Sequence, residues 1–109
     1  MAARRWGRLV FLGSSSAYSG FRDTSVYCAS KHALLGFSRA LHQELRSSNV
    51  RTYCLSPGSI KTPMARSSTE QDFETFLDPA EVAAFLVELI SSDGAMIADE
   101  VRLNRMVLR

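Results

Sequence analysis

Two cysteines, three prolines, one tryptophan and a formal charge of only +2 are what this chain of 109 residues has little of. Cys28 and Cys54 have neither metal nor redox spacing. They read as two small buried apolar residues, one on a helix and one on a strand, and they suit a reducing cytoplasm. His32 and His42 fall on one predicted helix without i, i+4 spacing, so they read as solvated or interface histidines and no metal site is legible. Thirteen Lys and Arg stand against eleven Asp and Glu, scattered along the chain, which argues against a nucleic-acid partner. No apolar run approaches the ~18 residues of a membrane span. Arg4 and Arg5 have no apolar stretch behind them, so this N-terminus does not read as a secretory signal. What remains is the composition of an ordinary globular chain with room for one domain.

The richest stretch that is present is Tyr27-Cys28-Ala29-Ser30-Lys31. On a helix, residues four apart are neighbours, so a phenol and an ammonium would stand together. A phenol titrates near pH ~10, and a cation beside it favours the phenolate. A tyrosine so placed can give or take a proton in carbonyl reduction or alcohol oxidation. An exposed Tyr and a solvated Lys would give the same letters.

Upstream, Gly7-Arg8-Leu9-Val10-Phe11-Leu12 is a short apolar run bounded by Gly13 and three serines, Ser14, Ser15 and Ser16. It predicts a buried parallel strand ending in a loop. In open α/β sheets ligands sit beyond the carboxyl ends of the strands, which places Ser14 where a substrate would be. Three serines also make an ordinary flexible loop. Downstream, Asn49–Leu55 predicts a second strand. It is followed by Ser56-Pro57-Gly58-Ser59-Ile60-Lys61-Thr62-Pro63-Met64, with its Pro-Gly turn on the same rim.

Together these motifs resemble the short-chain dehydrogenase/reductase family. They are Gly-x-Leu-Val-x-x-x-Ser, then Tyr-x-Ala-Ser-Lys, then Pro-Gly-x-Ile-x-Thr, in that order and spacing. The resemblance is strong over about residues 7–65 and loose beyond. The Ala-Ser-Lys context separates it from the epimerases and dehydratases that share Tyr-x-x-x-Lys. The resemblance implies the C-terminal portion of a doubly wound, parallel-sheet α/β fold of the Rossmann type, with the N-terminal nucleotide-binding half missing. The family's Thr-Gly-x-x-x-Gly-x-Gly turn, which cradles dinucleotide phosphates, has no counterpart, since the six glycines lie far apart. Its Asn-Asn-Ala-Gly strand is missing too, and Met1–Trp6 looks like the end of a preceding helix. The expected reading is a single partial domain over 1–109. Residues 7–65 are its catalytic strand-helix-strand unit, and 66–109 its substrate lid, last helix and last strand.

By the same resemblance the activity is hydride transfer between NAD or NADP and a small carbonyl or alcohol substrate. Tyr27 would be the general acid or base. Lys31 would hold it ready and bind the nicotinamide ribose. Ser14, with Ser15 as the alternative, would hold the substrate oxygen. Pro57, Gly58, Ile60 and Thr62 would form the loop that holds the carboxamide. The segment at about 63–77 would be the variable lid, with Phe73 and Phe76 either covering a pocket or packing as core aromatics. The other class of function is a non-catalytic remnant that acts only as an association module.

The residue pattern predicts strands at 7–13, 50–55 and 100–104, and helices at about 25–47, near 69–76 and at 78–91. Strand–helix–strand spacing of this kind implies parallel pairing. Asp78, Pro79 and Glu81 give the last helix an N-cap, a first-turn proline and a capping-box pattern. Its Val82, Phe85, Leu86, Leu89 and Ile90 should face a sheet. The long helix is apolar on more than one side. Val26, Ala29, Ala33, Phe37 and Leu41 form one stripe, widened by Leu34, Leu35, Ala40 and Leu45. One side can cover the sheet, and the other predicts a homo-oligomer through helix 25–47.

Overall fold

The apolar runs become strands and the amphipathic stretches become helices on either side of them. In this computed structural model residues 1–67 and 70–107 are described. The elements are β1 (Gly7–Leu12), α1 (Ser25–Leu45), β2 (Val50–Pro57), α2 (Pro79–Ser91) and β3 (Glu100–Leu103), with short 3-10 turns between them. Residue 69, where the expected helix at 69–76 begins, lies outside the described residues. The remainder of that segment holds only a 3-10 turn, Phe73–Thr75.

The strands form one parallel sheet in the order β1-β2-β3. Gly7 pairs with Val50 and Leu12 with Leu55, while Cys54 pairs with Glu100 and Pro57 with Leu103. All three carboxyl ends therefore share one rim. β2 is the middle strand, and its side chains are buried from Thr52 to Pro57. Successive side chains point to opposite faces. Cys54 packs with Leu35 of α1 and with Ala17. Tyr53, on the other face, shares a crevice of about 410 Å³ with Glu88 and Leu89 of α2. A parallel sheet with a helix on each face is the α/β arrangement the motifs implied. β2 runs two residues past its expected end at 55. Pro57 lacks an N–H but can close a strand, and the Gly58 N–H carries the pairing on to the Leu103 carbonyl at 2.8 Å.

α1 turns one side to the sheet and leaves most of the Val26–Leu41 stripe on the open side. Cys28, Leu35, Ser38 and His42 lie against the sheet. Val26 is 83% exposed and Phe37 54%, and Ala29, Ala33 and Ala40 lie on the open side with them. The wide apolar coverage hid the choice, because two faces compete and only the packed sheet decides between them. His42 is correspondingly buried rather than solvated, with its Nε2 at 3.9 Å from the Asp99 carboxylate. The two cysteines are buried and free, as expected.

α2 starts where its capping residues placed it. The Asp78 carboxylate accepts the Ala80 N–H at 2.7 Å. The cap bond goes to the second helical residue, so the expected box with Glu81 is not closed. Val82, Leu86, Leu89 and Ile90 are half-buried, whereas Phe85 is exposed. Arg8 of β1 ties the helix end down, donating to the Ile90 carbonyl at 3.0 Å and pairing with Asp93.

Residues 1–6 form a turn in which Arg5 donates to the Ala2 carbonyl and Trp6 to the Met1 carbonyl, with Arg5 at φ 54°. A left-handed residue with this pair of bonds is how helices close.

Candidate active site

The site begins where β1 stops. Gly13 is buried, and its N–H donates to the Leu55 carbonyl at 2.8 Å. A Cβ added there would overlap the Ser56 hydroxyl and stand 3.2 Å from Cys54 Sγ. Only glycine lets the chain end lie this close to β2 before it turns over the rim. Ser14 follows in extended conformation and caps the 3-10 turn Ser15–Ala17. Its hydroxyl oxygen accepts the Ser16 N–H at 3.1 Å. An oxygen used as acceptor leaves the hydroxyl proton free to be donated elsewhere.

Tyr27 and Lys31 lie on the first two turns of α1. Lys31 Nζ stands 5.6 Å from the centre of the Tyr27 ring, within cation–π range. The same ammonium donates to the Leu12 carbonyl at 3.0 Å. One side chain thus links the tyrosine to the end of β1, two residues before Ser14. Tyr27 is 44% exposed, so its phenol is open to an incoming molecule.

The segment after β2 crosses the same rim. Ile60 pairs with Leu77 in an isolated parallel bridge, made by Leu77 N–H to the Ser59 carbonyl and Lys61 N–H to the Leu77 carbonyl, both at 2.9 Å. In that pattern the N–H and C=O of Ile60 itself point away from Leu77. They are available to a planar amide. Thr62 accepts the Ala65 N–H through its carbonyl at 3.0 Å and is half-buried. Pro57 is buried at the strand end and Gly58 half-buried beside it. The same bridge closes the base of the excursion at 61–76. Phe76 is buried there, with the Arg105 guanidinium over its ring and Phe73 at 5.4 Å, so Phe76 packs as a core aromatic.

One cluster was not legible in the sequence. Tyr18 donates its phenol proton to Glu100 Oε1 at 2.7 Å. Arg39 donates to both oxygens of the same carboxylate, at 2.7 and 2.8 Å. Burial, helped by that carboxylate, pushes the Tyr18 phenol up to about 12. The Arg39 fork chiefly holds the Glu100 carboxyl below the usual range. Glu100 lies 82 residues from Tyr18 and 61 from Arg39, so only the fold brings them together.

A family model described as short chain dehydrogenase matches residues 1–72. The chain belongs to the short-chain dehydrogenase family. Among the curated relatives, Dehydrogenase/reductase SDR family member 4 of Bos taurus is 38% identical over 92% of this chain and 40% of its own length. The 3-oxoacyl-acyl-carrier-protein reductase MabA of Mycobacterium tuberculosis is 33% identical over 93% of this chain and 44% of its own length. A 3-oxoacyl-acyl-carrier-protein reductase from Brucella melitensis, solved with bound NAD, is 26% identical with a TM-score of 0.76, over 95% of this chain and 41% of that one. The chain therefore spans less than half the length of these family members.

Proposed function

We propose that this chain carries the catalytic strand-helix-strand unit of an NAD- or NADP-dependent oxidoreductase that interconverts a carbonyl and a secondary alcohol. One observation carries the reading. Lys31 stands beside the Tyr27 ring while holding the end of β1, at the rim from which Ser14 and the loop 57–62 also rise.

The residues present fit one end of the cofactor. The free N–H and C=O of Ile60 suit a carboxamide, with Thr62 beside them and Pro57 and Gly58 shaping the turn. Lys31 would turn from the Leu12 carbonyl toward the ribose hydroxyls. A nicotinamide held there supplies or takes up hydride. Tyr27 gives its phenolic proton to the carbonyl oxygen in reduction and takes one from the alcohol in oxidation. Ser14 donates its free hydroxyl proton to the same oxygen as negative charge gathers on it. The glycine-rich phosphate turn has no counterpart in this sequence, so the chain by itself binds dinucleotide weakly and turns over little or nothing.

The test is oxidation of NADH or NADPH with a panel of ketones and 3-oxoacyl thioesters. It is run on the chain alone and on the chain joined to the cofactor-binding half of a relative. Tyr27→Phe keeps the ring and removes the proton, and is expected to abolish turnover of the joined protein with its fold intact. Turnover above a few per cent of the parent rate would remove Tyr27 from this role.

The second reading is an association module that pairs through α1 without catalysis. The exposed Val26, Phe37 and neighbouring alanines favour it. A joined protein that folds, dimerises and binds dinucleotide but never turns over would choose this reading. Homo-oligomers through helix 25–47 belong to both.

A further inference from the structure

Ser14 and Tyr27 reach the rim on different elements, and something must fix one against the other. Ser14 opens the 3-10 turn Ser15–Ala17, and Tyr18 closes it through a backbone bond to the Ser15 carbonyl at 3.1 Å. Tyr27, Lys31, Leu35 and Arg39 follow one another at intervals of four, so they form a single ridge along α1. The turn and the ridge each send one polar side chain to the first residue of β3. That residue is Glu100, which accepts the Tyr18 phenol on Oε1 and the Arg39 fork on both oxygens.

We propose that Glu100 is a positioning residue that sets the Ser14 turn against the Tyr27–Lys31 ridge. The proposal rests on the catalytic reading of those three residues. Its geometric content, that one carboxylate couples loop to helix, can be tested without turnover.

The geometry suits a fixed joint. Glu100 is 27% exposed at its side chain and lies on the strand paired to Cys54 of buried β2, so the acceptor is anchored in the sheet. A carboxylate bound by both arms of a guanidinium has its plane set, and bonds to an ionised acceptor are the short, directional ones. Tyr18 is clamped on its other side by the Arg102 guanidinium, 4.3 Å above its ring. The bond polarity is unambiguous around neutral pH: the phenol keeps its proton and the carboxylate stays ionised. Further along the ridge Lys31 is tied to Leu12. Beyond the packing of Cys28, Leu35, Ser38 and His42, the ridge is thus tied by polar side chains at Lys31 and Arg39, and freeing the Arg39 end lets the ridge shift on its seat.

The chain has three tyrosines, at 18, 27 and 53. Tyr53 is buried in β2 and supplies an internal reference. The experiment is fluorine NMR of the 109-residue chain labelled with 3-fluorotyrosine, with each signal assigned by single Tyr→Phe replacement. In Glu100→Gln the Tyr18 and Tyr27 signals are expected to shift or broaden by more than a line width while Tyr53 holds. Movement of Tyr18 alone would overturn the proposal, because Glu100 would then be a local cap for the loop. If Glu100→Gln collapses all three signals to unfolded positions, Arg39→Gln decides. It frees the helix end and leaves Tyr18 on Glu100. A moved Tyr27 signal supports the coupling, and an unmoved one refutes it. None of these signals depends on cofactor or turnover, so failure of the reductase reading leaves them unchanged and failure of the coupling leaves the reductase reading standing.

Discussion

Gly13→Ala is the sharpest perturbation the site offers, because the added methyl has nowhere to go. Its Cβ would overlap the Ser56 hydroxyl, with Ser56 Cβ at 3.3 Å and Cys54 Sγ at 3.2 Å behind it. Both neighbours are buried in β2, and the Gly13 N–H is bonded to the Leu55 carbonyl, so neither strand can back away cheaply. The backbone angle at Gly13 is not left-handed, so the cost is steric and not conformational. Overpacking of this kind costs about 1–3 kcal/mol, and the stiffer unfolded chain returns about 0.4–1 kcal/mol. A net loss of about 1–2 kcal/mol in a chain this size lowers Tm by roughly 4–16 °C. Thermal melts by circular dichroism read this directly. Ser56→Ala deletes the clashing oxygen, so the double variant should recover at least ~1 kcal/mol of coupling energy. A Tm within about 2 °C of the parent for Gly13→Ala, or no recovery in the double variant, would falsify the close-approach argument.

The Glu100 joint also predicts a pH response, faced by Tyr18, Arg39 and Arg102. Its depressed carboxyl contributes stability above the ordinary carboxylate range, lost as pH falls through the depressed value, so Glu100→Gln should flatten the acid limb of Tm against pH. The raised phenol contributes stability that is complete below its ordinary value near ~10 and lost as pH rises through about 12, so Tyr18 should be a late-titrating tyrosine by absorbance, and Glu100→Gln should bring it earlier. Arg105 bonds Thr75 at 2.8 Å and Gln71 at 2.9 Å and lies over Phe76, so Arg105→Ala should speed amide exchange of residues 71–76 severalfold while β2 stays protected. Unchanged exchange there would show that the Ile60–Leu77 bridge alone closes the segment.

Local signals told their story well and long-range ones did not. The run Gly7–Leu12 and the Asp78-Pro79 start were legible because propensity and capping chemistry act within a few residues. Tyr27 and Lys31 were legible as a pair because a helix brings residues four apart together whatever else it touches. The buried face of α1 was not, since its apolar residues nearly encircle it and only the sheet decides between them. His42 looked polar on paper and is buried because it follows Leu35 and Ser38 at helical spacing. Ser56 and Pro57 read as a turn, yet the partner β3 extends β2 through both of them. Tyr18, Arg39 and Glu100 carry no shared motif and meet only after all three strands are in place.

The register of the sheet also has a kinetic side. Gly7 pairs with Val50 and Cys54 with Glu100, so each of the two pairings waits for a strand more than forty residues further along. The chain has to close long loops before any ladder bond repays them, and such topologies fold slowly. Until then Leu9, Val10 and Phe11 stand in water with apolar side chains and unpaired amides. α1, which needs no distant partner to form its own bonds, can collapse first and hold β1 through the Lys31–Leu12 and Phe11–Phe37 contacts. On this view the lysine that stands beside the Tyr27 ring is also an early guide that brings the first strand to the helix before the sheet exists.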